Sequence, residues 1–414
     1  MSAIVMVWLL IIFIFGSCVG SFLNVVIYRL PKGKSLVTPA SACPVCNSPI
    51  RFYDNIPLIS WILLGARCRH CSARISPRYF VVELITALVF TGLFLCYFVY
   101  RIRWFPSDAS SVFSAFVHSG WFVYLVHIIL LSCLIAASGI DLELWVIPLS
   151  LCWFAAALGI VSSAVGVFVI DPAVIRQAGL LPSASPRTGA LAAGAAAGLL
   201  VSLLLLGTRL LRRSYLPKGQ ETTGKQLDYQ NREMRNDTGT SGPDSNLPPM
   251  DLPHDDMFNH RLEVLWEVLF LLPVVFFASG FLILSTRVAG FAAWWESFSQ
   301  HPVVSGLLGS FWGYIIGGAV VWVTRILGTL AFGKEAMGLG DVHLMAAVGT
   351  VIGAVPVVVA FFAAPFLGLI WAGIRMFFKK THQIPYGPFL AMAVFGVMIL
   401  YDAIMNHPIL ELFR

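Results

Sequence analysis

Two aspartates stand where acidic side chains are costly. Asp141 lies in LSCLIAASGIDLELWVIPLSLC, with membrane-grade apolar sequence on both sides, and Asp341 closes GKEAMGLGD and opens another apolar run. Ionisable groups at membrane depth mark functional sites by default. Taken singly, each also fits a helix N-cap at the interface, where aspartate is favoured. As a pair they can do more. Two carboxylates in one site hold a single proton between them. The ionised one then activates water, and the protonated one donates to a peptide carbonyl, without a covalent enzyme adduct. Gly338 and Gly340, lacking side chains, would let the backbone before Asp341 approach a partner or substrate closely. Glu143 and Glu335 are expected at solvated edges, and Asp54 belongs to a polar loop. The chain has no Gly-x-Ser-x-Gly elbow, HExxH or Walker loop, so serine, zinc-protease and nucleotide-driven chemistries are disfavoured.

A second set of residues is built for metal. Cys43, Cys46, Cys68 and Cys71 follow the pattern C-x2-C-x21-C-x2-C. Two such pairs can close a tetrahedral zinc site, each supplying one edge. Arg67, Arg69 and His70 are expected to favour thiolates beside them. His70 is a lesser alternative ligand, and two disulfides are the competing explanation. A closed four-thiolate site has no open position, so this metal would be structural. The other cysteines, Cys18, Cys96, Cys133 and Cys152, sit in apolar runs as small hydrophobes.

The elements that must position these groups are membrane helices. Of 414 residues, 58% are hydrophobic and 12% charged, against about 25% charged in a soluble domain. Mean hydropathy is +0.82. Apolar runs that can cross about 30 Å of hydrocarbon are expected near 3–28, 80–100, 120–140, 144–170, 188–211, 263–286, 303–330, 341–354, 356–374 and 387–405, with a break before Pro356. The fold class is therefore an all-α polytopic membrane protein of about 8–10 spans with a small cytoplasmic zinc loop. The first run has no charge before Arg29, so it is expected to be a retained span with its N-terminus outside. In that orientation the inner loops hold all 27 Lys and Arg except Arg101, Arg103, Arg176, Arg187, Arg287 and Arg414, which obeys the positive-inside rule. Four crossings separate the aspartates, an even number, so both reach the same face. The net charge of +6 comes without a basic, aromatic-interleaved patch, so no nucleic-acid partner is expected. Residues 212–262 are polar and read as a flexible cytoplasmic linker.

At this point the residues resemble a known family, the type IV prepilin peptidases and N-methyltransferases. GSFLNVVIYRLP (20–31) is similar to its first-helix ending. The cysteine loop with YDNIPLISW (53–61) and CRHCSARISPRYFVVELIT (68–86) is similar to its zinc-bearing domain. GKEAMGLGDVHLMAAVG (333–349) resembles the membrane aspartyl signature Gly-x-Gly-Asp, and IPYGPFLA (384–391) the entrance to the last helix. The resemblance implies an enzyme of the bacterial inner membrane with its active site on the cytoplasmic side. Such an enzyme cuts the short basic leader from prepilins and pseudopilins and methylates the new N-terminus with S-adenosylmethionine. It places the catalytic pair on Asp141 and Asp341 and the metal ligands on the four cysteines. The methyl-donor pocket is not placed by any glycine-rich loop, and Glu83 is a guess at a contributor.

Two departures stand out. Leu149 follows Ile147-Pro148 where the family commonly has an acidic or amide residue. The aspartates are also 200 residues apart, far more than is usual in the family. The excess is assigned to an insertion at 171–302 bringing two helices and the linker. The expected organisation is then a first helix (1–28), the cysteine loop (29–79), helices carrying Asp141 (80–170), the insertion, and helices carrying Asp341 (303–414). Two other readings compete: a peptidase that does not methylate, and a zinc-stabilised transporter or assembly scaffold.

Overall fold

The computed structural model describes residues 2–105, 112–211, 260–376 and 385–408. The linker expected at 212–262 lies outside the described residues except for its last three.

The described residues are mostly helical, apart from the cysteine loop and the connections. Their only β pairings are two isolated bridges, Ala42 with Pro49 and Arg67 with Arg74. The principal helices are α1 (Ala3–Arg29), α2 (Pro77–Phe94), α3 (Trp121–Leu144), α4 (Leu149–Val165), α5 (Pro186–Gly207), α6 (His260–Arg287), α7 (Ala289–Ser299), α8 (Pro302–Phe332), α9 (Leu339–Ile352), α10 (Ala354–Met376) and α11 (Gly387–Ile399). All ten apolar runs form helices; α7 is an additional short one. Among the described residues, eight helices (α1–α6, α8 and α10) are long and apolar enough to cross a membrane, and the chain is an integral membrane protein. The other two are short: α9 has 14 residues and α11 has 13. At 1.5 Å per residue each covers only about 20 Å.

Two boundaries differ from expectation, each for a local reason. The break between α9 and α10 falls at Gly353 (φ +89°) and not before Pro356, which sits in the first turn of α10. Proline is tolerated in a first turn, whereas only glycine readily takes that φ. Arg325 was counted with an inner loop, yet it lies within α8 and is only 1% exposed.

Packing relies on small residues, because lipid gives helices no hydrophobic reason to associate. Gly16 and Gly20 of α1 lie against the backbone of α2 at Ala87 and Glu83. Gly194 and Gly198 of α5 face Phe277 and Pro273 of α6, and Gly313 and Gly317 of α8 face Gly349 and Met345 of α9. Each pair is spaced i, i+4, on one face of its helix. A cluster of buried Phe90, Phe94, Tyr97, Phe98 and Tyr124 fills the space between α2 and α3. These contacts fix the ends of α3 and α9, which carry the aspartates.

Candidate functional site

Neither aspartate is an N-cap. Asp141 occupies the last turn of α3, which Trp145 closes in a left-handed conformation (φ +57°), its N–H donating to the Asp141 carbonyl oxygen. A carboxylate there faces the negative end of the helix dipole, an unfavourable place for a purely structural acid. Asp341 is the third residue of α9, whose N-cap is Gly338. The first turn of a helix suits negative charge.

The fold brings the two together. α9 and α11 both pack on α3, and the carboxyls of Asp141 and Asp341 are close enough for their charges to interact. Asp141 is 8% exposed. Its Oδ2 accepts the Gly387 N–H at 2.9 Å, which leaves Oδ1 for another partner. Gly387 starts α11, and a Cβ on it would stand 2.8 Å from Asp141 Oδ2. Sequence reasoning missed this residue, although it lies in the IPYGPFLA block. Its neighbour Tyr386 is within charge range of Asp341. A Cβ on Gly340 would come within 3.0 Å of Ile147 Cβ, whereas one on Gly338 would meet Asp341 Oδ2 at an ordinary 3.6 Å. Position 340, where α9 starts against Ile147, is therefore the tighter of the two, and a methyl there would push the Ile147 side chain by a few tenths of an ångström. Leu149, at the departure from the family pattern, begins α4 and is 48% exposed.

The four predicted cysteines form one cluster, with all sulfurs within 4.8 Å of one another. Cys43 and Cys71 Sγ are 3.8 Å apart, and Cys46 and Cys68 Sγ 4.0 Å. A tetrahedron with zinc–sulfur bonds of about 2.3 Å has edges of about 3.8 Å. The cysteines are free thiols, and the cluster fits a structural zinc ion. Two matching turns build it. Asn47 N–H donates to Cys43 O and Cys43 N–H to Ser48 O; Ser72 N–H donates to Cys68 O and Cys68 N–H to Ala73 O. Asn47 and Ser72 both take φ near +55°.

These turns, and not the flanking cations, favour thiolates. The Ser48 hydroxyl and backbone N–H hold Cys46 down at about 6. The backbone N–H groups of Cys71 and His70 lower Cys68. At Cys71 the Ala73 N–H acts downward, but burial and hydrogen bonding with the other three thiols carry it up to about 12. Arg69 is turned away, gripping Asp54 through Nε and Nη2 at 2.6–3.0 Å. The expectation credited Arg67, Arg69 and His70; the largest effects on Cys46 and Cys68 come instead from the Ser48 hydroxyl and from backbone N–H groups of the turns.

The cysteine loop stands over a cleft of about 1370 Å³ between the end of α1, the start of α2 and the end of α3. Glu83 lines it, and its Oε2 accepts the Leu58 N–H at 2.7 Å. Leu58 is held at φ +62°, a conformation that needs such support. Asn24 Oδ1 and Trp61 Nε1, from two residues lining the cleft, are buried without a hydrogen-bond partner. Arg78, at the start of α2, pairs with Glu143 across the cleft mouth, two residues from Asp141. Glu143 is 41% and Glu335 46% exposed at the side chain, edge positions as expected, although both are ion-paired.

Comparison with known proteins gives these observations a frame. Residues 14–97 match the Bacterial Peptidase A24 N-terminal domain, and residues 263–373 match the Type IV leader peptidase family. The first segment contains the cysteine cluster and the second contains Asp341 and α6; Asp141 lies between them. A prepilin leader peptidase/N-methyltransferase of Myxococcus xanthus is 44% identical over 141 residues, 34% of this chain and 36% of that protein. A type 4 prepilin-like proteins leader peptide-processing enzyme of Escherichia coli is 42% identical over 146 residues, 31% and 46% respectively. A prepilin leader peptidase/N-methyltransferase of Klebsiella pneumoniae is 46% identical over 89 residues, 20% and 39%. The chain thus aligns with less than half the length of each of these relatives. No solved structure matches. Both domains are matched in order, with the cysteine cluster in the first and Gly-x-Gly-Asp in the second, so these two segments of the chain are similar to the type IV leader peptidase family.

Proposed function

We propose that this protein is a membrane aspartyl peptidase that removes the leader from prepilins and pseudopilins, with Asp141 and Asp341 as its catalytic pair. The observation that supports this is that two carboxyls 200 residues apart in the sequence lie within range of each other's charge at the helix ends of α3 and α9. One carboxylate takes a proton from water as the water attacks the scissile carbonyl. The protonated partner donates to the carbonyl oxygen, and the tetrahedral intermediate collapses as the amine leaves with a proton. The Gly387 N–H fixes one oxygen of Asp141, so the other is presented in a set direction. The site faces the cytoplasm of a bacterial inner membrane, an orientation supported by the Lys and Arg of the cysteine loop.

The names of the relatives extend the proposal to N-methylation of the new terminus. The cleft beneath the cysteine loop would hold S-adenosylmethionine, which supplies an electrophilic methyl group. Asn24 Oδ1, Trp61 Nε1 and the Glu83 carboxylate are the polar groups suited to it, two of them lacking partners. Zinc in the cysteine cluster would hold the roof of that cleft in place.

The test uses purified protein in detergent with a prepilin substrate, comparing wild type with Asp141→Asn and Asp341→Asn. Leader removal that vanishes in both, with the fold retained, supports the pair; cleavage persisting in either removes it. A further methyl mass on the product, dependent on S-adenosylmethionine, tests the second activity.

A further inference from the structure

The segment from Gly333 to Gly338 joins α8 to α9 and delivers Asp341 to its position. Met337 packs against the main hydrophobic cluster, and the segment's polar anchors come from a side chain buried inside a membrane helix. Arg325, 1% exposed inside α8, sends Nη1 to the Met337 carbonyl oxygen and to Glu335 Oε1, the latter at 2.6 Å. Its other side meets Glu267 of α6, with Nε and Nη2 at 3.2 and 3.1 Å from Oε1. Glu267 is 3% exposed, and its Oε2 accepts the Trp322 indole N–H at 2.9 Å. Trp322 stacks on Phe270 of α6, one turn from Glu267. One turn along α8 from Arg325, Thr329 Oγ1 accepts the Ala336 N–H at 3.3 Å.

A buried ion pair is weak as a source of stability, because desolvation offsets most of its attraction. What this one does provide is direction: a planar guanidinium locked on one side by a carboxylate can hold a backbone carbonyl at a fixed point. We infer that Arg325 and Glu267 are positioning residues for Asp341, and that α6 acts as the brace for the segment that presents it. The helix assigned by sequence spacing to an insertion thus takes part in building the site. This rests on the reading of Asp341 as half of the catalytic pair.

Glu267→Met combined with Arg325→Met removes both charges, leaves no unpaired buried ion and keeps apolar volume. Its thermal midpoint in detergent is expected near that of wild type. Hydrogen exchange of amides 333–341 is expected to quicken several-fold, with α1 and α2 unchanged. With a prepilin substrate, kcat is expected to fall about 10–100-fold and KM to change little, as for a misplaced catalytic group. Glu267→Gln, nearly isosteric, gives smaller changes in the same direction and serves if the double variant does not fold. Unchanged exchange in 333–341 overturns the brace whether or not any cleavage is measured. Faster exchange with wild-type kcat overturns the positioning role. If wild type cleaves no prepilin, the exchange experiment still decides the brace, and it is the catalytic reading that has failed.

Discussion

The cysteine cluster and the aspartate pair are built in opposite ways. All four thiols come from residues 43–71, and each pair is shaped by hydrogen bonds within its own five- or six-residue turn. The carboxyls come from helices 200 residues apart, and no local interaction brings them together. α11 must dock on α3 before Gly387 can reach Asp141, and α9 must dock on α3 to bring Asp341 near it. A local site can form wherever its segment goes, and metal affinity is its main source of order. A distributed site inherits its geometry from the whole bundle, so it should respond to changes far from it.

This difference can be broken or sharpened by experiment. The largest effect is expected at the carboxyls: Asp341→Asn should lower cleavage by about 10³-fold or more with an unchanged melting profile. Cys46→Ser should do the reverse, releasing the metal measured by elemental analysis, disordering the loop and weakening cleavage less. If both variants lose cleavage equally while keeping zinc, the two regions are not separable as described. An intermediate effect is expected for Gly387→Ala. The added methyl meets Asp141 Oδ2 at 2.8 Å, so kcat should fall roughly 10–100-fold with substrate binding retained. A cleavage rate equal to wild type would show that this contact does not set the geometry.

The smallest effect concerns Asp54. Its hydrogen bond with Arg69 holds its carboxyl below the usual carboxylate range. The pairing is therefore fully present at neutral pH and is lost as pH falls through that lowered value. Arg69 is half exposed, so salt should screen much of it. Asp54→Asn is expected to leave neutral-pH cleavage unchanged and to make zinc retention slightly less tolerant of mild acid. A large loss of cleavage at neutral pH would mean that the loop is coupled to the aspartates more tightly than its contacts indicate.

The membrane helices were legible because a run of apolar residues has few other destinations, and the cysteines because metal geometry dictates their spacing. The parity of crossings already put Asp141 and Asp341 on one face. Other features were hidden for physical reasons. Arg325 looked like a loop cation, since sequence does not show that Glu267, 58 positions earlier, meets it inside the bundle. Gly387 looked like part of a helix entrance, because a backbone N–H contact leaves no mark in residue type beyond a missing side chain. The turns' backbone donors are equally invisible in composition, so the adjacent arginines drew credit for lowering the thiols. Glycine pairs at 16 and 20, 194 and 198, and 313 and 317 are readable by spacing alone.

Those glycine contacts carry one more implication. α5 and α6 meet along Gly194 and Gly198 through direct backbone approach, near Phe277 and Pro273. Loop-closure entropy grows slowly with length, by about 0.6 kcal/mol per doubling, so a flexible segment inserted between residues 211 and 260 is expected to cost little. This is a natural place to insert a reporter, or to divide the protein into two co-expressed halves that find each other in the bilayer.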